Sequence, residues 1–96
     1  MIDYKSKRWE RKRKAILRRD GYQDKELSRY GKMVEANTVH HIFPVSIYPQ
    51  YAWEDWNMIS LSAKTHNEMH DRNTNELTDK GKDLMTRTAR QRGIKI

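Results

Sequence analysis

The chain has 96 residues, with 20 lysines and arginines against 13 aspartates and glutamates, so its formal net charge is +7 and its pI about 9.8. No apolar run approaches the roughly 20 residues that a membrane-spanning helix needs. No apolar segment follows the start, so we expect neither a membrane partner nor a Sec signal peptide. Cysteine is absent, which excludes disulfides, thiolate chemistry and cysteine-ligated metal sites.

The length predicts a single domain spanning residues 1–96. Only 35% of the residues are hydrophobic, so the core must be small, and a metal ion or a partner would help to stabilise it. The basic pI favours a protein that binds nucleic acid. A basic protein with a solvated charged surface is the alternative at this point.

The first predicted element is a helix over about residues 5–19. An apolar stripe recurs there at helical spacing, and Gly21 supplies a stop; the stripe positions are Trp9, Arg13, Ile16 and Leu17. The other faces are almost wholly cationic, and like charges four residues apart repel unless a polyanion is bound. Residues 21–33 show no sustained period, which predicts a loop.

The middle of the chain predicts two strands joined by a long aromatic loop. Residues 34–43 favour a strand that ends at Pro44, and a second strand covers Met58–Leu61. Ser62 or Ala63 then opens a helix that runs to about Arg72. A last helix covers about residues 79–92, with Thr78 as N-cap and Gly93 as its end. This order predicts an α+β domain.

The four histidines fall within this central segment. His66 and His70 are four residues apart, which on one helix places their Cβ atoms about 5–6 Å apart and lets both bind one metal ion. His40 and His41 are adjacent, so on a strand they point to opposite faces. One of them could join the metal while the other exchanges protons. Each pair alone is more typical of a solvated surface, but the combined pattern favours a metal site.

Three segments in the same order resemble the motif of the HNH endonucleases, whose fold is called ββα-metal or His-Me finger. They are His40–Pro44, Asp55–Leu61 and Thr65–His70. The resemblance covers about residues 15–72, and the double histidine and final His-x-x-x-His are most similar to the colicin-type branch. It implies a ββα-metal core over about residues 34–72 with flanking N-terminal and C-terminal helices.

The resemblance also implies a role for each residue of the motif. His41 would be the general base that activates water, and Asn57 would fix the loop and orient that base. One divalent ion (Mg, Mn, Ni, Co or Zn) would be held by three ligands, His40, His66 and His70. These roles agree with the chemistry of the side chains, because imidazole accepts a proton at neutral pH and an amide both donates and accepts hydrogen bonds.

Two departures from the commonest family pattern are informative. Many members hold a structural zinc on two Cys-x-x-Cys pairs, whose places here correspond to Asp24, Leu27, Ser62 and Thr65. We therefore expect no zinc knuckle, with packing in its place by Trp53, Trp56, Tyr22, Tyr30, Leu27 and Met33. In addition, His40 stands where many relatives have Asp, and the softer imidazole shifts metal preference toward Zn, Ni, Co or Mn relative to Mg.

These features predict a metal-dependent endonuclease that hydrolyses DNA phosphodiester bonds with weak sequence specificity, leaving 5′-phosphate and 3′-hydroxyl ends. The side chains expected to contact phosphates are Arg18, Arg19, Lys64 and Arg72. The alternative is a non-catalytic basic DNA-binding module that retains the HNH fold. A structural metal site closed by four histidines is a third, weaker interpretation.

Similarity to the short stand-alone HNH proteins of phages implies a place in the cytoplasm of a bacterial host, linked to DNA packaging machinery. A homodimer is also compatible, because double-strand cutting by an enzyme with one site often needs two copies.

Overall fold

The computed structural model describes residues 2–96 and has the predicted α+β architecture. Its elements in chain order are α1 (Lys7–Arg19), α2 (Lys25–Ser28), β1 (Thr38–His41), β2 (Met58–Leu61), α3 (Ala63–Asn67) and α4 (Asp79–Arg92). Two 3₁₀ turns, Pro49–Tyr51 and Asp55–Asn57, lie in the long connection between the strands. Within residues 2–96, no helix is both long enough and apolar enough to cross a membrane.

The sheet consists of β1 and β2 paired antiparallel, with His40 opposite Ile59 and His41 opposite Met58. The second strand has the predicted bounds, but the first is shorter than the predicted 34–43. Its predicted beginning instead pairs with the chain just after α1, because the amide of Ala36 donates to the Tyr22 carbonyl at 2.8 Å. Each half of that apolar segment therefore has a different partner.

The helix α1 confirms the predicted stripe, since Trp9, Ile16 and Leu17 are buried. They form one core on the sheet together with Ile2, Ala36, Val39, Ala52 and Met58. A second core joins the end of β1 to α4, and its buried members are Ile42, Phe43, Leu61, Met69, Leu84 and Ala89. The strands are thus held between the N-terminal helix and the C-terminal helix.

The predicted loop over residues 21–33 is wrong in part, because it contains α2. Asp24 is fully buried and caps this helix, its carboxylate accepting a hydrogen bond from the Leu27 amide at 2.9 Å. The other carboxylate oxygen accepts from the Ser62 amide at 2.9 Å, and the Ser62 hydroxyl in turn accepts from the Thr65 amide at 3.2 Å. A carboxylate therefore joins α2 to α3 at the four positions expected to correspond to knuckle cysteines.

The packing predicted to replace the zinc knuckle is correspondingly wrong in part. Tyr22, Tyr30 and Met33 are exposed, Met33 by 86% of its surface. Trp53 and Trp56 do pack against the two cores. Hydrogen bonds around Asp24, rather than aromatic packing, connect this end of the molecule, because a buried carboxylate satisfies amides that apolar side chains would leave unpaired.

The helix α3 is shorter than predicted and ends at Asn67 rather than near Arg72. The Asp71 carboxylate accepts hydrogen bonds from the Asn73 and Thr74 amides at 2.8 and 3.1 Å, a turn that competes with continued helix. His70 therefore lies beyond the helix, in an isolated bridge with Leu77.

The helix α4 has its predicted bounds. The Thr78 hydroxyl accepts from the Gly81 amide at 3.2 Å, and Gly93 ends the helix with φ 68°. Gly81 lies so close to the preceding turn that a Cβ atom at this position would be 2.5 Å from the carbonyl oxygen of Met69. Only glycine permits this approach without a shift of the backbone.

Candidate active site

The structure buries His40 almost completely, at 1% exposure, on the β1 strand. Neither of its ring nitrogens has a hydrogen-bond partner within residues 2–96, and the buried Nδ1 of His70 has none either. Buried polar atoms are nearly always paired in folded proteins. These unpaired imidazole nitrogens therefore point to a ligand that the protein atoms themselves do not supply.

The rings of His40, His66 and His70 form an almost equilateral triangle. Their centroids are 5.2, 5.2 and 5.3 Å apart, and one ring nitrogen from each lies within 4.8 Å of the other two. The expectation that His66 and His70 share a helix is wrong, because α3 ends before His70. The backbone bridge between His70 and Leu77 instead places the His70 ring beside the rings of His40 and His66.

The surroundings of the triangle favour the neutral form of His40 and His66. Burial, followed by the proximity of His66, His70 and His41, lowers the pKa of His40 to about 3. Burial and then His70 also lower the pKa of His66. A neutral imidazole offers a lone pair, which is the form that ligates metals. Three convergent imidazoles therefore fit a divalent ion, and the donor set is all nitrogen.

His41 stands beside this triangle but outside it. Its Nε2 lies 3.0 Å from the carbonyl oxygen of Ala52. A carbonyl oxygen only accepts hydrogen bonds, so Nε2 carries the hydrogen and Nδ1 keeps the lone pair. Burial lowers the pKa of His41, and the hydrogen bond to Ala52 offsets part of that effect. The ring is thus neutral at pH 7, with Nδ1 able to accept a proton.

Asn57 is fully buried, and its side chain hydrogen-bonds to the backbone at Phe43, near His41, and at Tyr51, next to Ala52. Its side-chain oxygen accepts from the Phe43 amide at 2.7 Å, while its nitrogen donates to the carbonyls of Phe43 and Tyr51 at 3.1 Å each. Phe43 follows His41 by two residues and Tyr51 precedes Ala52. Asn57 therefore ties the end of β1 to the loop that receives the His41 hydrogen bond.

All four histidines line one cleft of about 920 Å³. The sequence did not indicate several of its other walls, which include Tyr4, Arg13, Thr38 and Asn75. Arg13 is half-buried and donates to the Asn37 carbonyl. The signal that could have identified Arg13 is its place in the apolar stripe of α1, where a cation must face either the core or a cleft.

The four cations expected to contact phosphates occupy different environments. Arg18, Lys64 and Arg72 are exposed, and their side chains make no hydrogen bond or ion pair with any part of residues 2–96. Arg19 is exposed as well, but its guanidinium donates to the carboxylate of Asp20 and to the Met58 carbonyl at 2.7 Å. It also donates to the Asp55 carbonyl at 2.8 Å.

An antiparallel strand pair followed by a short helix, with a histidine cluster between them, defines a ββα-metal domain. No protein-family model matches the chain, and no match was found among curated proteins. Among solved structures, the chain is similar to the crystal structure of the HNH endonuclease of the deep-sea thermophilic bacteriophage GVE2 with manganese ion. The two share 33% sequence identity and a TM-score of 0.64, over 67% of this chain and 70% of the phage chain. The chain belongs to the HNH endonuclease family.

Proposed function

We propose that residues 1–96 act as a single HNH nuclease domain that hydrolyses DNA phosphodiester bonds with the help of one divalent metal ion. The ligands are His40, His66 and His70, and His41 is the general base. The observation that carries this proposal is the division among the four histidines. Three converge on one point, and two of these, His40 and His70, have buried ring nitrogens without a partner, while the fourth is hydrogen-bonded away from that point and retains a lone pair.

The ion, when bound, neutralises charge on the scissile phosphate and stabilises the leaving 3′ oxygen. The similar phage protein was crystallised with manganese, which supports a divalent ion here. The three-histidine set also leaves room for substrate, because these rings line an open cleft. A structural site closed by four histidines is disfavoured, since His41 donates to Ala52 instead.

The His41 side chain takes a proton from the attacking water at Nδ1. Because its Nε2 hydrogen is directed at Ala52, the ring presents a single tautomer to the cleft. Attack by that water on phosphorus forms the new P–O bond and breaks the bond to the 3′ oxygen, which takes up a proton from solvent, so that the products are a 5′-phosphate and a 3′-hydroxyl. Asn57 acts as a positioning residue in this proposal, holding the backbone that carries His41 and Ala52.

DNA binding is assigned to cations that have no acceptor in the protein. Arg18, Lys64 and Arg72 are the cations of this kind that contact phosphates. Arg13 lines the cleft, but its guanidinium already donates to the Asn37 carbonyl. Arg19 contributes mainly through its charge, because its donors already meet protein acceptors. Contacts of this kind position the duplex without reading its bases, so we expect weak sequence preference.

Plasmid nicking with Mn²⁺, Mg²⁺, Ni²⁺, Co²⁺ or Zn²⁺ tests the proposal. We expect metal-dependent cleavage by the wild-type protein and a loss of about 100-fold or more in His41→Ala, the usual contribution of a general base. DNA affinity should be nearly unchanged in that variant. Equal cleavage by His41→Ala would remove His41 from the mechanism. Full DNA binding without cleavage under every metal would establish the non-catalytic DNA-binding module instead.

The resemblance to small phage proteins further supports a setting in the cytoplasm of a bacterial host, next to DNA packaging machinery. Light scattering coupled to size-exclusion chromatography, with and without DNA, distinguishes a monomer from a homodimer that would place two sites on one duplex.

A further inference from the structure

A tryptophan outside the ββα core lies against the ring of His41. Trp9 belongs to α1, is 6% exposed, and stacks on His41 with ring centroids 5.4 Å apart and an interplanar angle of 25°. The ring of Tyr4 makes T-shaped contacts with the rings of Trp9 and His41, with centroid distances of 5.1 and 6.3 Å. The N-terminal helix α1 therefore contacts the residue assigned as the general base, although α1 contributes none of the four histidines.

The same tryptophan also touches the segment that receives the His41 hydrogen bond. Trp9 meets Trp53 at 6.3 Å and 66°, and Trp53 directly follows Ala52. The guanidinium of Arg8, which is also on α1, lies over the ring of Trp53, 3.8 Å from its centroid. Helix α1 thus contacts both the ring of His41 and the segment containing Ala52, whose carbonyl accepts the His41 hydrogen bond.

One hydrogen bond does not fix an imidazole, because the ring can still turn about the line from Nε2 to the carbonyl oxygen. A flat surface against the ring face removes that freedom, as stacking favours a narrow range of plane angles. We propose that Trp9 is a positioning residue for His41, holding the ring plane in which Nδ1 meets the attacking water. This inference rests on the proposed function of His41 as the base.

Substitutions that keep or remove the flat surface test the inference. Trp9→Phe keeps an aromatic face and Trp9→Leu fills the core without one; Trp9→Met serves if Trp9→Leu does not fold. The matched control is Leu17→Ala, on the same helix and in the same core but without a ring contact to His41. Each variant is assayed for kcat and KM on supercoiled plasmid with Mn²⁺, well below its unfolding temperature.

We expect Trp9→Leu to lose about 10-fold or more in kcat, since displacing a reacting group by about 1 Å can cost up to about 100-fold. Its KM should change less than about two-fold, because Trp9 is buried and makes no direct phosphate contact. Trp9→Phe should stay within about three-fold of wild type, and Leu17→Ala should lose stability but keep kcat. Equal kcat losses in Trp9→Leu and Leu17→Ala would reduce Trp9 to a core residue and overturn the inference.

Two further measurements separate this inference from the function it rests on. Carbon-13 relaxation of the His41 ring at Cε1–H, without added metal, should show a more mobile ring in Trp9→Leu than in wild type, while the Nε2–H tautomer set by Ala52 is kept in both; unchanged ring mobility overturns the inference. In the His41→Ala background, Trp9→Leu should cause no further loss of kcat. If His41→Ala is inactive while Trp9→Leu matches wild type, only the role of Trp9 fails. If His41→Ala is fully active, the proposed function fails with it.

Discussion

The two adjacent histidines of β1 occupy opposite environments. The alternation of a strand sends His40 toward α3, into a site where its nitrogens find no protein partner, and His41 toward α1, where a carbonyl and an indole hold it. In the proposed function, one dipeptide thus supplies both a metal ligand and the general base. The sequence could suggest this division from alternation alone, but not which ring goes where, because that depends on helices distant in the chain.

Substituting the two histidines should therefore affect metal binding very differently. Adding Mn²⁺ or Zn²⁺ should raise the unfolding temperature of the wild-type protein, because a ligand at 100 times its Kd stabilises the folded state by about 2.7 kcal/mol. His40→Ala should abolish most of that gain, whereas His41→Ala should keep it. Differential scanning fluorimetry with and without a chelator makes the measurement. An equal gain in His40→Ala would exclude the triangle as the metal site.

At the level of elements, the sequence predicted best where a helix or strand has its own end signals. The Thr78 cap and Gly93 fixed α4, and the short apolar run Met58–Leu61 fixed β2. The sequence-based prediction was poorest where tertiary contacts determine the secondary structure. Four residues of α2 are too few to show a period, and the turn at Asp71 stops α3 early. The site followed the same rule, since the grouping of His40, His66 and His70 could be predicted from the motif, whereas the contact of Trp9 with His41 depends on how α1 packs on the sheet.

Asp24 provides a test of what joins α2 to α3. Asp24→Ala leaves the amides of Leu27 and Ser62 without acceptors, so we expect a loss of about 2–6 kcal/mol in the free energy of unfolding, at about 1–3 kcal/mol for each of the two buried unpaired groups. Urea denaturation makes the measurement. The matched substitution Leu27→Ala, which retains the amide, should cost less. Equal losses would show that packing rather than the carboxylate connects the two helices.

The pH dependence of stability follows from the same group. Burial alone would raise the pKa of Asp24, but hydrogen bonds from Leu27 and Ser62 outweigh it and lower the pKa. Its contribution is therefore complete above the unfolded pKa of about 3.9 and is lost as pH falls through the lower folded pKa. Asp24→Asn should flatten this acid branch of the stability curve. The pKa of Asp20 is also lowered, so the Asp24→Asn variant should keep an acid dependence of stability that is smaller than that of the wild-type protein.

On the scale of the whole molecule, the net charge of +7 is divided between cations that face solvent and cations that hold the fold. Arg18 and Arg19 illustrate both kinds at neighbouring positions, because Arg18 has no acceptor within residues 2–96 and Arg19 donates to the Asp55 and Met58 carbonyls. Composition alone cannot distinguish the two, since it reports charge without the acceptors that meet it.

This pair yields a matched prediction for DNA binding. Affinity for a duplex should fall with salt, and Arg18→Ala should reduce the slope of log K against log salt by about 1 while leaving the unfolding temperature unchanged. Arg19→Ala should instead lower the unfolding temperature, with a smaller effect on the slope. Fluorescence anisotropy at several salt concentrations measures the slopes. An unchanged slope in Arg18→Ala would remove this residue from the DNA interface.

The close approach of α4 at Gly81 has a consequence for metal chemistry. Met69, whose carbonyl lies against Gly81, immediately precedes His70, so the distance between the backbones at Gly81 and Met69 affects the position of His70, a proposed metal ligand. Gly81→Ala should push this turn outward and weaken Mn²⁺ or Zn²⁺ affinity by about 10-fold or more. Mutations of residues that hold metal ligands in place typically lower metal affinity by this amount. Isothermal titration would detect it, with Thr74→Ala in the exposed turn as the control. Metal affinity would then depend on how closely α4 packs, and one added methyl group on this helix would weaken binding without altering any of the three histidines.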